Sequence, residues 1–472
     1  MKKIVLSISF VLLYSLISAQ NQKLTLQQCI ETGIANNLDV LQGDLQAQTD
    51  EINWKQAKTN MLPDLNATIS HGLNTGRSID RNTNTYVNQN SSYGNYSLGS
   101  GVTIFNGLSM QNLVRQTKLK YEASKMTFQQ RKDNLTLSII LTYLQVLNNE
   151  DLLAQARNQA ELSGKQVDRL TVLDKEGAIS PSQLSDIKGQ YAGDQISIIN
   201  AQAAVETAKI DLCQLMNVPY DKNISVEKLD VNGFADKYAD TPDKIYETAL
   251  QGFAHVKAVD LTVKSSEAGV KVARGRLFPT LSLNAGLGTI YSNTARSQNL
   301  VRSVDTAFYD YVVVNGNPVK VRTLLNEYSF SKIPYSDQLK NNRSTGISLD
   351  LQIPIFNGFF QRNRIKLAKI DLKNSQFIAK TTKTQMQQSI EEAYINLTSA
   401  SDRSKVLLDQ VNAYNESFRA AEIRFNSGVG NSIDYLTAKN NLDRANINLI
   451  NSKYDYVLRT KILDYYKGMK LW

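Results

Sequence analysis

Side chains that could carry catalytic or metal chemistry are few in this sequence. Its 472 residues include two histidines, His71 and His255, and two cysteines, Cys29 and Cys213. Neither histidine stands in a metal-ligand spacing, and no Walker loop, dinucleotide-binding glycine pattern or nucleophile elbow occurs. The cysteines could pair in an oxidising compartment. Two cysteines in so long a chain do not make a disulfide framework, however, and we expect buried free thiols. We therefore expect no enzyme activity, no cofactor and no metal site.

The first residues predict export. Lys2 and Lys3 precede an apolar stretch, Ile4–Ile17, and small residues follow at Ser18–Ala19. This order is typical of a secretory signal peptide at residues 1–19, because the apolar stretch is too short for a membrane anchor. The formal net charge of +9 is spread along the chain without a basic run that contains aromatic residues. Nucleic acid is therefore not an expected partner.

The sequence repeats itself over most of its length. The tetrapeptide Ile-Phe-Asn-Gly occurs at Ile104–Gly107 and again at Ile355–Gly358, an offset of 251 residues that also pairs Gly177 with Gly428. A duplication this long predicts two structural halves. The predicted division is a signal peptide at 1–19, a first repeat at 20–217, a linker at 218–240 and a second repeat at 241–472.

The offset changes once along the chain. Pro63 matches Pro279 at an offset of 216, whereas the tetrapeptides match at 251, so the second copy carries 251 − 216 = 35 more residues in between. The insertion predicts one loop that is longer in the second copy than in the first.

A long coiled-coil helix is predicted after each tetrapeptide. Residues 359–427 contain neither glycine nor proline. A seven-residue apolar repeat of this kind indicates left-handed coiled-coil packing, and a helix of this length reaches on the order of 100 Å. The repeat consists of Ile139, Val146, Leu153, Ala160 and Val167 in the first copy and of Ile390, Leu397, Ser404, Val411, Phe418 and Phe425 in the second.

Each long helix is predicted to turn at a glycine into a second helix. In the turn at Gly177, Ser180 could cap the next helix and Gln183 could complete a capping box. In the turn at Gly428, Asn431 could serve as the cap. Each half then contains a long antiparallel helical hairpin.

Two strand candidates precede each hairpin, with apolar side chains alternating against small or polar ones. This alternation fits a membrane barrel with a wet lumen and equally a soluble sheet with one wet face. The polar loops at 74–94 and 290–346 favour the barrel, since long outer loops are typical of it. The candidates are residues 64–73, 96–105, 280–289 and 347–353.

Four strands are too few to enclose a lumen. In lipid, their open edges would cost several kcal/mol per unsatisfied backbone group, so several copies must pool their strands, and twelve strands would leave room for a channel. The tetrapeptide then marks the point where a membrane strand becomes a periplasmic helix. Phe105 and Phe356 are expected near the membrane interface, and Gly107 and Gly358 are expected to release the turn.

The order of these elements resembles the TolC family of outer-membrane efflux and secretion ducts. The resemblance rests on the signal peptide, on the strand pair and long hairpin used twice, and on the tetrapeptide at each crossing. The opening Leu24–Glu31, the strand starts at Leu62-Pro63 and Phe278-Pro279, and the segment Arg424–Gly428 also fit the family. The match covers nearly all of the mature chain.

The resemblance implies a homotrimer in the outer membrane that extends into the periplasm. The implied fold is mainly α with a membrane β part. Four strands per subunit form a TolC-like twelve-stranded β-barrel, which continues into a long periplasmic α-helical coiled-coil barrel. Such ducts serve tripartite efflux or type I secretion, and a periplasmic adaptor (membrane fusion) protein links them to an inner-membrane RND, ABC or MFS transporter. The implied docking turns contain Gly177, Ala178, Gly428 and Val429.

The family's closed tip carries acidic residues around the pore, and one of them is matched here. Asp434 falls on that pattern, as a helix-capping residue, a selectivity residue or both, whereas the second acidic position holds Thr437. The positions of a gate-bonding Tyr and Arg hold Phe425 and Gly430. The family's gate network is therefore expected to be absent or rebuilt.

A non-conducting periplasmic coiled-coil scaffold is the alternative interpretation. Long helices support the scaffold and the duct equally. The four alternating strands distinguish them, because a spacer does not need strands.

Overall fold

A computed structural model describes residues 23–79, 84–88, 90–229 and 238–469. The predicted signal peptide at 1–19 lies outside these residues, as does part of the predicted linker at 218–240. Contacts divide the chain into two compact units. The helical unit comprises the described parts of residues 1–54, 116–267 and 370–472, and the sheet unit comprises those of residues 55–115 and 268–369.

The two halves of the chain follow the same order of elements except for one additional short helix in the second half. The first half contains α1 (Leu26–Asn36), α2 (Leu38–Thr59), β1 (Asn66–Asn74), β2 (Arg77–Ile79), β3 (Tyr86–Asn88), β4 (Ser91–Phe105), α3 (Ser109–Lys175) and α4 (Pro181–Met216). The second contains α5 (Pro242–Gly252), α6 (Ala254–Gly275), β5 (Thr280–Ser292), β6 (Arg296–Val314), β7 (Asn317–Lys332), α7 (Tyr335–Asn341), β8 (Ser344–Gln352), α8 (Phe360–Asn426) and α9 (Ser432–Tyr466). The predicted repeat boundaries at 217 and 241 lie beside the end of α4 and the start of α5 and stay a prediction.

The four predicted strands form one antiparallel sheet in the order β1-β4-β5-β8. Its register places Ala67, Leu98 and Leu287 side by side, and Ile69, Tyr96 and Thr289 in the next row that faces the same way. We call this side the apolar face, and it is open: the exposed fraction of the Ile69 side chain is 77%. The opposite face carries small and polar residues, among them Ser70, Ser97, Gly99, Asn284, Gly286 and Ser348.

The predicted polar loop at 290–346 connects β5 to β8 but has secondary structure that was not predicted. This segment contains the long hairpin β6–β7 and the short helix α7. Asn315 and Gly316 form the hairpin turn with positive φ angles of 53° and 80°, and Asn-Gly is the strongest short-range hairpin signal in a sequence. The alternation is hard to read because the register shifts at Leu300/Arg302 and Ala307/Tyr311. The loop at 74–94 likewise holds a small hairpin, β2–β3.

The two long helices are confirmed. Helices α3 and α8 each have 67 residues, a length of about 100 Å at 1.5 Å per residue. Nine of the eleven heptad residues are buried, and Val167 and Val411 are half-buried. The seven-residue stripe is therefore the side on which the helical unit packs.

The described helices pack around buried apolar clusters. One cluster joins Ile30 of α1 to Ile139 of α3 and Leu212 of α4, and another joins Ile245 of α5 to Ile390 of α8. Cys29 and Cys213 lie in the first cluster as buried free thiols, which confirms the expectation. None of the described helices combines the length and the apolar character that a membrane span requires.

Candidate functional site

The turn between α3 and α4 ends the first long helix by backbone hydrogen bonds. The Gly177 N–H donates to the Asp174 carbonyl at 3.0 Å, and the Ala178 N–H donates to the Leu173 carbonyl at 2.9 Å. Ser180 occupies the N-cap of α4, but its hydroxyl bonds to Ser182 rather than to the helix. The predicted capping box with Gln183 is therefore wrong. Because Pro181 stands at the first helical position and has no N–H, the first turn of α4 has one unpaired donor fewer from the start.

The turn between α8 and α9 has the same backbone course but a true cap. The Val429 and Gly430 N–H groups donate to the Arg424 carbonyl at 3.0 and 2.9 Å. The Asn431 side chain accepts from the Asp434 N–H at 2.8 Å, so the predicted cap is confirmed. Asp434 lies in the first turn of α9 with an exposed side chain, where a negative charge also suits the helix dipole.

The two turns lie together and line one cavity of about 480 Å³. Arg169 of α3 bridges them from the side, because its guanidinium donates to both the side-chain and the backbone oxygen of Asn426. Gln166 donates to the same side chain at 3.2 Å. Ser432 of α9 donates to Asp186 of α4 at 3.0 Å. Sequence reasoning missed these bridges, since nothing in the pattern pairs Arg169 with a residue 257 positions away.

Phe425 and Gly430 occupy the positions at which gate-bonding family members have a Tyr and an Arg. Phe425 is buried and stacks on Tyr435 with ring centroids 4.8 Å apart. Gly430 lies against the end of α8, where an added Cβ would come within 3.1 Å of the Phe425 backbone nitrogen. An arginine at position 430 would therefore press on the backbone, and the links between the two hairpins come from Arg169 and Asp186 instead.

The outer surface of the paired turns is apolar and uncharged at its tip. Ala178 is exposed, and the exposed fraction of Val429 is 82%. Ile433, one residue before Asp434, is also largely exposed. Contiguous exposed apolar patches of this kind mark interaction sites on protein surfaces.

A group of buried charges, which we call the ion cluster, lies further along the same helices. Lys439 of α9 donates to Asp194 of α4 at 3.0 Å and to Asp443 at 2.7 Å, although its side chain is only 2% exposed. Ser163 of α3 donates to Asp194 as well, and Gln190 donates to its other oxygen at 2.8 Å. Burial raises the pKa of the Asp443 carboxyl above its ordinary value.

The ion cluster was not predicted. In the sequence, Lys439 and Asp443 form an i, i+4 pair of the kind that is common on solvent-exposed helix faces. Only the packing of α3, α4 and α9 places Asp194 beside them and removes water. A charge taken out of water must be matched, because an unpaired buried charge is strongly destabilising.

The first strand-to-helix crossing is tightly packed. Phe105 is the last residue of β4, and Gly107 follows with a φ of 65°. An added Cβ at Gly107 would collide with the Gly275 carbonyl oxygen and would lie 2.6 Å from the Phe278 Cβ. Glycine is therefore required here both by the left-handed conformation and by space.

The second crossing has the same conformation but open surroundings. Gly358 has a φ of 58°, and an added Cβ would meet nothing within 4 Å. Phe356 is 77% exposed and makes an edge contact with Phe359 at 5.7 Å between ring centroids. The role of Phe105 and Phe356 at the membrane interface stays a prediction.

Comparison with known proteins shows which family the chain is similar to. The model of the family "Outer membrane efflux protein" matches residues 29–218 and again 245–464. Outer membrane protein TolC of Escherichia coli (strain K12) is 21% identical over 419 residues, which cover 88% of this chain and 76% of that protein.

Solved structures share the fold at low sequence identity. A structure of CusC superposes with a TM-score of 0.76 at 14% identity, covering 94% of this chain and 92% of that one. The Campylobacter jejuni CmeC outer membrane channel superposes with a TM-score of 0.75 at 15% identity, covering 94% and 85%. The chain thus has the TolC-like channel fold that the sequence resemblance implied.

Proposed function

Because the chain belongs to the outer membrane efflux protein family, we propose that it is the outer-membrane exit duct of a tripartite efflux or type I secretion system. The observation that carries the proposal is the four-stranded sheet, which has one exposed apolar face, one small and polar face, and two outer strands. Lipid would cover the apolar face, and the polar face would line the passage.

The edges of the sheet favour a homotrimer. Among the described strands, β1 pairs only with β4 and β8 pairs only with β5. An unpaired edge costs several kcal/mol per backbone group in lipid. The edges can be paired between copies, because β8 of one copy would run antiparallel to β1 of the next. Three copies would supply twelve strands, enough for a barrel with an open lumen.

The strand lengths suit a membrane. Strand β5 has 13 residues, which at about 3.3 Å per residue and a tilt of about 45° rise roughly 30 Å, the thickness of the hydrocarbon core. The strand-to-helix crossings would then lie at the periplasmic end of the sheet, and the loops at its other end would face the cell surface.

The paired turns are the proposed docking surface for a periplasmic adaptor protein. Ala178, Val429 and Ile433 offer exposed apolar contacts, and Gly177 and Gly428 keep the turns narrow. The adaptor would connect the duct to an inner-membrane transporter of the RND, ABC or MFS type. That transporter supplies the energy, so the duct itself needs no catalytic step.

Asp434 is the proposed selectivity residue. Three copies would bring three exposed carboxylates to the periplasmic opening, where multivalent cations would bind. The same residue occupies the first turn of α9, so a structural contribution accompanies the proposed selectivity.

Disulfide cross-linking across the proposed subunit boundary tests the duct. Ser70→Cys on β1 is combined in turn with Gly346→Cys, Ser348→Cys and Asp350→Cys on β8, all on the polar face. The Cα atoms of facing residues on paired antiparallel strands lie about 4.5–5.5 Å apart, which is within the Cα–Cα range of disulfides. We expect at least one pair to give covalent dimers and trimers on non-reducing gels of outer-membrane fractions.

The matched control places the first cysteine on a central strand. Ser97→Cys on β4 faces the same way as Ser70 but is flanked by β1 and β5, so it should form no disulfide between subunits with any of the three partners. Absence of covalent trimers from every Ser70 pair, with the protein recovered in the soluble periplasm, would favour the scaffold and contradict the duct.

A further inference from the structure

The short helix α7 is fixed to the sheet at the loop end of β5. Gln338 is only 1% exposed, and its side-chain amide donates to the Ser292 and Ile333 carbonyls, both at 2.9 Å. The Ser292 N–H donates back to Gln338 Oε1 at 2.9 Å. Asn342 donates to the Ile290 carbonyl at 2.8 Å. These bonds hold the helix in one place although it has only seven residues.

Helix α7 lies on the apolar face rather than on the polar face. The Thr289 hydroxyl donates to the Leu339 carbonyl at 2.9 Å, and the Tyr335 hydroxyl donates to the Tyr96 hydroxyl at 3.0 Å. Thr289 and Tyr96 are neighbours in a row of the apolar face. The helix therefore covers part of the side that we assign to lipid.

Aromatic side chains mark the level at which α7 lies. The Tyr291 ring stacks on His71 with centroids 6.0 Å apart and contacts Tyr335 edge-on at 4.8 Å. The Tyr96 ring meets Tyr335 at 6.5 Å. Such clusters are characteristic of the membrane–water interface, where one side of the ring is apolar and the other is wet. Helix α7 thus lies where the apolar face ends.

A groove of about 270 Å³ remains between α7 and the sheet. Ile69, Leu98, Leu287 and Leu339 supply its apolar lining, and Arg343, just beyond α7, completes it. Arg343 is exposed, and in the described part of the chain it takes part in none of the ion pairs. The groove thus combines an apolar slot with one guanidinium at the interface level.

We propose that this groove binds the phosphorylated, acylated glycolipid of the outer leaflet, with an acyl chain along the apolar lining and a phosphate on Arg343. Guanidinium groups bind phosphate by two parallel hydrogen bonds. The loop end faces the cell surface under the proposed function, on which this inference rests, so the lipid belongs to the outer leaflet. The groove opens on the apolar face, away from the passage, which excludes exported cargo as its occupant.

Lipid titration of the purified, full-length protein followed by native mass spectrometry tests the proposal. The probes are a diphosphorylated acylated glucosamine disaccharide, the same lipid without phosphates, and phosphatidylglycerol. We expect the wild-type protein to retain the phosphorylated glycolipid in preference to the other two. Arg343→Gln should weaken its binding about tenfold, the loss of one charge-assisted contact, and should leave binding of the dephosphorylated lipid unchanged.

Two further variants separate the parts of the site. Leu339→Ser should weaken both glycolipids, because it alters the acyl lining. Lys320→Gln removes an exposed cation on β7 that does not line the groove, and it should bind like wild type. Equal retention by wild type and Arg343→Gln, or a wild-type preference for phosphatidylglycerol, would overturn the proposal.

The same samples distinguish this failure from failure of the duct. A trimer that conducts ions in a planar bilayer but shows no preference for the phosphorylated glycolipid would refute the lipid site and leave the duct intact. A monomer without conductance would refute the proposed function itself.

Discussion

The two strand-to-helix crossings share one tetrapeptide but differ in what surrounds it. Gly107 and Gly358 have nearly equal φ angles of 65° and 58°. A side chain at Gly107 would collide with Gly275, whereas a side chain at Gly358 would meet nothing within 4 Å. The repeated motif thus determines the backbone turn, while the packing around it belongs to each copy separately.

The helices after the two turns, α4 and α9, also match in sequence but differ in packing. Lys188 of α4 and Lys439 of α9 are related by the 251-residue offset. Lys188 is exposed, and Lys439 is buried between Asp194 and Asp443. Their partner positions differ too, since Asp194 matches Ala445 and Asp443 matches Ala192. The buried cation therefore lies on α9 alone, and α4 supplies Asp194 as one of its partners rather than a matching lysine.

Replacement of the two matched lysines should give the largest difference between the two halves. Lys439→Met leaves the buried Asp194 and the half-buried Asp443 without their cation and should cost about 3–5 kcal/mol of unfolding free energy. Lys188→Met, at an exposed position, should change it by no more than about 0.5 kcal/mol. Unfolding midpoints of the purified proteins measure both. Equal effects of the two substitutions would show that the ion cluster contributes nothing specific to α9.

The two crossings should respond unequally to the same substitution. Gly107→Ala adds a steric conflict to the left-handed conformation and should cost about 2–4 kcal/mol. Gly358→Ala meets only the conformational penalty, about 1–2 kcal/mol. Thermal unfolding of each variant, together with its yield in the outer membrane, makes the test. A larger loss for Gly358→Ala would contradict the packing difference.

The two helix caps offer a smaller contrast. Asn431→Ala removes a side chain that accepts from the Asp434 N–H and should cost about 1 kcal/mol. Ser180→Ala removes a hydroxyl that makes no cap and should be close to neutral. Comparison of their denaturation midpoints decides the matter, and a costly Ser180→Ala would mean that the hydroxyl caps α4 after all.

Acidification should stabilise the folded protein through Asp443 of the ion cluster. The raised pKa of Asp443 means that the folded state favours its protonated form, so this contribution to stability is fully present below the ordinary carboxyl pKa of about 4 and is lost as pH rises through the raised value. Lys439, Asp194 and Gln159 are the groups that face it. Wild type should therefore gain stability relative to Asp443→Asn between pH 7 and pH 4, measured by unfolding at each pH. A stability difference that does not vary with pH would contradict the raised pKa.

The substitution Asp434→Asn should have the smallest effect on structure. Because Asn431 rather than the Asp434 side chain caps α9, the assembly should persist with nearly unchanged unfolding. Block of the channel by multivalent cations in a planar bilayer should weaken. Gln183 occupies the matching position in the first copy, and Gln183→Ala should leave the block unchanged. Undiminished block in Asp434→Asn would remove the selectivity role.

The sequence pattern predicted the long helices and the four strands, because apolar side chains recur in each at a regular spacing. It predicted the glycine turns because Gly177 and Gly428 match at the 251-residue offset. The hairpin β6–β7 was missed since two register shifts interrupt its alternation, and α7 was missed since seven residues are too few to show a helical period. The bridge from Arg169 to Asn426 and the ion cluster depend on contacts between distant segments. The residue type alone does not show whether a charged side chain is exposed or buried, so only packing could distinguish Lys439 from Lys188.

The native mass of the assembly shows whether identical chains pair their outer strands. The sheet of one chain has four strands with two outer edges, and a closed barrel requires identical copies to pair those edges. The native mass of the protein extracted from the outer membrane with mild detergent should correspond to three chains, and the same preparation should conduct ions. A single-chain mass from a water-soluble, non-conducting preparation would contradict the account.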